Sequence, residues 1–283
     1  MDTVYKYCRA RGLKILRDLE LKVTRPNQFN DPFEFTPKIV CSDPVGYAKR
    51  LLDSEPALER LYEKQKSEGR FRGSFQNYQE LAKKYRAEMI KELVRVGPLA
   101  CAQIEKEFLD EVSKRKAVLC MSGRRDSMLM WGHYCDQKLG LVIGFDKSSA
   151  IFQKEKGLRR VDYVKERIVF DSWWEFGSPE MEIYEVRIIV SKGGDWKYED
   201  EFRQIFTFSS SSLVGKPPED VDKDKTPGYF LPFPPEAIVS VTLGPRCSSE
   251  LENGVVEMLK KPHFIKYLIE ATTANIGIQI RVE

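Results

Sequence analysis

Two rhythms of apolar and polar positions run along this chain, and they divide it. Val4 to Tyr7 reads as a short strand. Gly12 to Leu21 carries Leu13, Leu16 and Leu19 at helical spacing, and the extended piece Leu21-Lys22-Val23 follows it. Between Arg25 and Pro32, prolines and asparagines break regular structure. Residues 44–115 change character: Lys, Glu, Arg, Leu and Ala dominate, and apolar positions recur at three- and four-residue steps. The clearest helix is expected over Ser74–Val96, where Tyr78, Leu81, Tyr85, Met89, Leu93 and Val96 form the stripe and Gly97-Pro98 stops it.

From Ala117 onward the pattern predicts strands: Ala117–Ser122, Gly140–Phe145, Val161–Val164, Ile183–Val190, Phe202–Phe208, Ala237–Leu243 and Ile276–Val282. Ser209–Thr226 reads as a polar loop. Glu250–Ala271 reads as a helix interrupted near Pro262. Strands in runs with grouped helices predict an α+β fold. The expected core is a mixed, largely antiparallel sheet. The chain is expected to form a single domain over 1–283, with a helical insert at 44–115 and a C-terminal helix-strand piece at 250–283. Neither GxGxxG nor GxxxxGK[ST] occurs, so the Rossmann and P-loop fingerprints are missing.

Composition narrows the class. The 283 residues are 42% hydrophobic, which is enough for a real core. Charge is high at 31%, but 46 basic residues nearly balance 43 acidic ones, so total charge selects no polyanionic partner. No apolar run approaches the roughly 20 residues that span a bilayer, and the N-terminal residues lack a signal-peptide pattern. A cytoplasmic protein without a membrane partner is expected. The cysteines at 8, 41, 101, 120, 135 and 247 form no CxxC, and His133 and His263 are the sole histidines, which makes a structural zinc site a poor reading and reduced thiols the expected state.

Candidate chemistry concentrates in four places. In Trp196-Lys-Tyr-Glu-Asp-Glu-Phe-Arg203, residues two apart on an extended backbone share a face, so Glu199 and Glu201 are expected as paired acids with Arg203 behind them. Burial among rings raises a carboxylate's pKa and an arginine lowers it, which marks such a pair as a candidate for chemistry. The alternative is a solvated turn with a surface Glu201–Arg203 pair, worth about 0–1 kcal/mol. Phe29-Asn-Asp-Pro-Phe-Glu34 reads either as a loop presenting Asn30, Asp31 and Glu34 to a ligand or as an Asx turn pinned to the core. After the strand ending at Ser122, Arg124 and Arg125 suit phosphate. Trp131 is a ligand contact or core, and His133 is a proton-transfer candidate or a packing residue. Lys6, between Tyr5 and Tyr7, is a cation for an anionic ligand or an exposed strand lysine.

These blocks occur in a set order: Tyr5-Lys6-Tyr7, Phe29 to Glu34, Cys120-Met-Ser122, Met130-Trp-Gly-His-Tyr134 with Gly140, Trp196 to Arg203 and Leu243-Gly-Pro-Arg246. In that order they resemble the bacterial domain-of-unknown-function family 2971. A weaker likeness is to ADP-ribosyltransferases, whose first strand bears a basic or polar NAD contact, whose middle strand ends in Ser or Tyr, and whose late strand opens with an ExE-like motif. That likeness implies NAD as substrate, Glu201 as the catalytic carboxylate, Glu199 as its partner, and Lys6, Ser122 and Asn30 as ligand contacts. A protein or nucleic-acid acceptor and a role in phage defence or as a toxin would suit it. The first strand has Lys6 where such enzymes carry His or Arg, and the residues after Ser122 depart from their pattern. Two other readings stand beside it. One is a metal-dependent nuclease or phosphodiesterase, with Asp31, Glu34, Glu199 and Glu201 on Mg²⁺ and Arg203 or Lys6 on phosphate. The other is a non-catalytic ligand sensor whose helical insert binds a partner.

Overall fold

The structure, a computed structural model, describes residues 2–31, 33–171, 179–216, 228–261, 264, 268–274 and 277–282. In chain order the elements are β1 (Thr3–Cys8), α1 (Leu13–Asp18), β2 (Glu20–Val23), β3 (Lys38–Val40), α2 (Pro44–Asp53), α3 (Glu55–Ser67), α4 (Phe75–Lys84), α5 (Arg86–Arg115), β4 (Lys116–Ser122), α6 (Met128–Tyr134) and β5 (Leu141–Asp146). There follow β6 (Arg159–Arg160), β7 (Asp162–Val164), β8 (Val169–Asp171), α7 (Pro179–Ile189), β9 (Ser191–Gly193), β10 (Glu201–Thr207), β11 (Val214–Lys216), β12 (Gly228–Pro232), β13 (Ile238–Leu243), α8 (Ser249–Leu259), β14 (Leu268–Ala274) and β15 (Gly277–Val282). The fold is α+β.

The main sheet has eight strands in the order β14-β15-β13-β5-β1-β4-β10-β6, and every pairing in it is antiparallel. Strand alternation sorts its side chains into two layers. Val4 of β1, Leu119 and Met121 of β4, Leu141, Ile143 and Phe145 of β5, Phe206 of β10 and Val241 of β13 join the larger core, along with Leu16 of α1 and Leu251, Val255 and Leu259 of α8. Residues of opposite parity, Tyr7 and Val142, pack with Met130, Trp131 and Cys135 around α6. Each fully buried side chain of Leu or Phe size contributes roughly 1.5–3 kcal/mol. The face around α6 is the one that carries Glu201 and Arg203, since both alternate with Phe202 and Phe206.

The chain divides into two compact units. One, built on the main sheet, comprises Met1–Phe35, Asp110–Glu166 and Val186–Glu283; the other comprises Thr36–Leu109 and Arg167–Glu185. The second unit has its own cluster of Leu52, Leu58, Tyr62, Tyr78 and Ala82. It also has a short parallel pair, β3 with β8. Residues 44–115 hold helices α2 to α5.

Four expected segments differ. The helix expected over Ser74–Val96 begins at its Ser74 cap, whose Oγ accepts from Asn77 N at 3.2 Å, but it breaks at Tyr85. Helix α5 then runs through Gly97-Pro98. A proline inside a helix costs one bond and about 3 kcal/mol, yet the buried positions Cys101 and Phe108 continue the apolar stripe past it and packing outweighs that loss. Ile183–Val190, expected as a strand, lies mostly in helix α7. Its β-branched residues point to a strand, but Met181, Glu185, Ile188 and Ile189 are buried at steps of four, three and one, a helical stripe. The helix expected over Glu250–Ala271 ends at Leu259, and Leu268–Ala274 instead pairs with β15 as a strand. Within the loop expected over Ser209–Thr226, Val214–Lys216 instead forms β11 and pairs with β12, and residues 217–226 lie outside the described residues.

Candidate functional site

The site begins at an irregularity of the sheet. Strand β4 pairs fully with β10 on one side, but on its other side β1 pairs with it at a single position, Tyr5 opposite Ser122. Beyond that position the strands part. The β4 backbone groups exposed by the parting find other partners. Lys6 Nζ donates to Cys120 O at 2.9 Å, and Thr24 exchanges two backbone bonds with Val118, at 2.8 and 2.9 Å. A cavity of about 260 Å³ opens along this seam. Among its lining residues are Tyr5, Lys6, Tyr7, Cys120 and Ser122 from the two strands, Thr24, Phe29, Asn30 and Glu34 from the segment after β2, and Tyr134, Lys192, Glu199 and Glu201.

One wall is a buried ionic cluster. Glu34, Lys192, Glu199, Glu201 and Arg203 are 4%, 5%, 3%, 4% and 0% exposed. Lys192 Nζ stands among three carboxylates, 3.3 Å from Glu34 Oε1, 2.6 Å from Glu199 Oε2 and 3.1 Å from Glu201 Oε2. Arg203 grips Glu201 bidentately, Nε to Oε1 at 2.8 Å and Nη2 to Oε2 at 2.9 Å. The same Nη2 donates to Glu34 Oε1, and Nη1 donates to Ile189 O at 2.6 Å. Phe29 and Phe35 flank the guanidinium. Removing Lys192 or Arg203 from such a set leaves buried carboxylates uncompensated, a loss of about 3–5 kcal/mol.

Local backbone geometry brings the acids together. Glu199 ends a 3-10 turn and Glu201 opens β10; between them Asp200 takes a left-handed conformation, with φ at 44°. The two glutamates therefore converge through a turn, and the shared strand face expected for them is not what unites them. Strand alternation does unite Glu201 with Arg203. Ser122 Oγ fixes the turn by donating to Glu199 O at 2.6 Å. Tyr134 hydroxyl donates to Glu199 Oε1 at 2.7 Å.

Electrostatics then separate the two acids. Burial pushes the Glu201 carboxyl up, but the charge and hydrogen bonds of Arg203, with Lys192, outweigh it and hold the group at about 2. Burial raises the Glu199 carboxyl, and Lys192 and Tyr134 oppose this without reversing it. Lys192 itself is desolvated by burial, but the three carboxylates overcome that and raise its pKa, so it stays an ammonium. The cluster thus sets three carboxyl groups against two cationic side chains.

Residues 130–204 match the model of a family described as "Protein of unknown function (DUF2971)". The resemblance to that family holds over this segment. No curated protein and no solved structure matches the chain. The matched segment runs from Met130 to Gln204 and supplies Tyr134, Lys192, Glu199, Glu201 and Arg203, whereas Lys6, Glu34 and Ser122 lie outside it.

Of the residues singled out in the sequence, Lys6, Asn30, Glu34, Ser122, Glu199 and Glu201 meet at the cavity. Arg203 stands behind Glu201 and holds it. Asp31 shapes its own loop, its Oδ1 accepting from Phe33 N at 2.9 Å. Trp131 is wholly buried, with its ring nitrogen donating to Arg125 O at 3.2 Å. His133 is exposed and lies against Tyr134, Trp196 and Tyr198, with centroids 6.2–6.4 Å apart, rather than at the cavity lining. Lys192 and Tyr134 are the contributors that sequence reasoning missed. A sequence signal for Lys192 existed: a lone lysine after an apolar run, followed by Gly193-Gly194, seven and nine residues before the glutamates.

Proposed function

We propose that the cavity binds NAD and that the chain is an ADP-ribosyltransferase-like enzyme, acting on a protein or nucleic-acid acceptor. The observation behind this reading is the buried cluster of three carboxyl groups and two cations at the wall of an aromatic-lined cavity. When the bond between nicotinamide and ribose breaks, its electron pair leaves with nicotinamide, which becomes neutral, and the ribose carbon takes on oxocarbenium character. A fixed negative charge beside that carbon lowers the barrier. Glu201, held ionised, supplies such a charge. Glu199, whose carboxyl is raised and paired with Tyr134, suits orienting the acceptor and taking its proton as the new bond to ribose forms. Drug-sized ligand pockets span roughly 300–1,000 Å³, so a cavity of about 260 Å³ encloses one end of a dinucleotide and leaves the rest outside.

The metal-dependent nuclease reading has one observation in its favour, the convergence of Glu34, Glu199 and Glu201. Their common centre is the ammonium of Lys192, which stands where a cation shared by the three would stand. Among the described residues, no group of three or more His, Cys, Asp or Glu side chains is arranged to hold a metal ion. The donor set therefore favours an organic ligand.

Incubation of the wild type and Glu201→Gln with NAD and cell lysate, followed by mass spectrometry, tests the proposal. Nicotinamide release by the wild type and its loss in the variant are expected. No release by the wild type with any acceptor would sink the reading, and Mg²⁺-dependent cleavage of RNA or DNA would favour the nuclease.

A further inference from the structure

We infer that Glu34 is a further ligand-contacting carboxylate of this site, beside Glu201, and that its Oε2 accepts a hydrogen bond from a hydroxyl or N–H group of the bound molecule. In naming NAD as that molecule, the inference rests on the functional reading above. The three glutamates of the cluster are not equivalent. Glu199 spends Oε1 on Tyr134 and Oε2 on Lys192. Glu201 spends Oε1 on Arg203, and Oε2 on both Arg203 and Lys192. Glu34 spends Oε1 on Arg203 and Lys192. Its Oε2 is buried and has no hydrogen-bond partner among the described residues. Glu34 is also a lining residue of the cavity. Buried polar atoms are nearly always paired, and an exception at a cavity points to a partner that arrives from outside.

The loop is built to hold Glu34 in this position. Asp31 receives two bonds, its side chain from Phe33 N at 2.9 Å and its carbonyl from Glu34 N at 3.2 Å. Phe35 is held at a positive φ of 59° with its ring edge-on to Phe29, centroids 4.7 Å apart. A non-glycine residue in that region stores strain, which persists where the surroundings over-determine it. Asp31 is thus a positioning residue for Glu34.

Two parts of NAD offer the required donor: the hydroxyls of the ribose beside the scissile bond, and the amide of nicotinamide. Titration calorimetry of the wild type and Glu34→Gln with NAD, ADP-ribose and nicotinamide separates them. In the variant, the amide oxygen keeps the Arg203 bond and turns an NH₂ toward the ligand's donor. A lost hydrogen bond to a charged group corresponds to about a 10- to 100-fold weakening. Weakening confined to NAD and ADP-ribose assigns the donor to ribose. Weakening confined to NAD and nicotinamide assigns it to the amide. Equal affinity of variant and wild type for all three overturns the inference. If the wild type binds none of them, the NAD reading fails and melting temperature decides the role of Glu34. A residue kept for an external partner gives a Glu34→Gln protein at least as heat-stable as the wild type, whereas a lowered melting temperature makes Glu34 structural and overturns the inference.

Discussion

At the scale of single residues, the site places like groups in unlike environments. Glu199 and Glu201 are two positions apart and share Lys192, yet burial prevails at one and Arg203 prevails at the other. The signs have consequences for stability. Glu201 has a folded pKa of about 2 against an ordinary 4.5. Its contribution is therefore present above the ordinary value and is lost as pH falls through the folded one. Glu199 is shifted upward, so its contribution is present in acid and is lost as pH rises. Urea midpoints of the wild type, measured from about pH 6 to about pH 3, should fall more steeply than those of Glu201→Gln, because the variant lacks the group whose pKa is depressed. Parallel curves would mean that Glu201 does not drive the acid loss. Much of this was legible in the sequence: the acids, Arg203 and Glu34 stand out by their aromatic company. Lys192 was marked only by its place after an apolar run and before Gly193-Gly194, because its enclosure by three carboxylates depends on chain segments far apart.

At the scale of elements, the decisive geometry is the turn at Asp200. Its left-handed backbone lets a 3-10 turn deliver Glu199 to the ammonium that the first residue of β10 also reaches. Asp tolerates this region, whereas a β-branched residue pays about 1–2 kcal/mol there. Asp200→Val should lose about that much stability by chemical denaturation and should also weaken NAD binding. Asp200→Gly, which suits a positive φ, should keep the fold and lose little beyond the surface pair with Arg160, worth about 0–1 kcal/mol. A valine variant as stable as the glycine one would show that the turn is relaxed. Sequence periodicity could locate β10 but not this turn, because Glu-Asp-Glu fits an extended chain equally well. The same limit explains α7, where β-branched residues obscured a helical stripe, and α5, where the Gly-Pro stop signal was overridden by apolar positions beyond it.

At the scale of the whole molecule, an α+β chain with an antiparallel sheet followed from the order of strand and helix patterns, and 44–115 was legible as helical. The assignment of residues 167–185 to the second compact unit was not, because that grouping rests on contacts distant in sequence, such as β3 with β8. That unit's own apolar cluster supports a test by native-state hydrogen exchange. Leu58→Ala, a truncation costing about 2–5 kcal/mol, should strip protection from α3 and α4 while amides of β4, β5 and β10 keep theirs. Equal loss in the sheet would show that the whole chain opens as one cooperative body. The sheet has a mechanical weakness of its own. Most neighbouring strands in it are laced by several residue pairs, but β1 and β4 are joined at Tyr5 and Ser122 and then by one lysine side chain. Force applied across the strands would concentrate there, so the seam is where this sheet tears first, and a molecule lodged in it would act as a rivet.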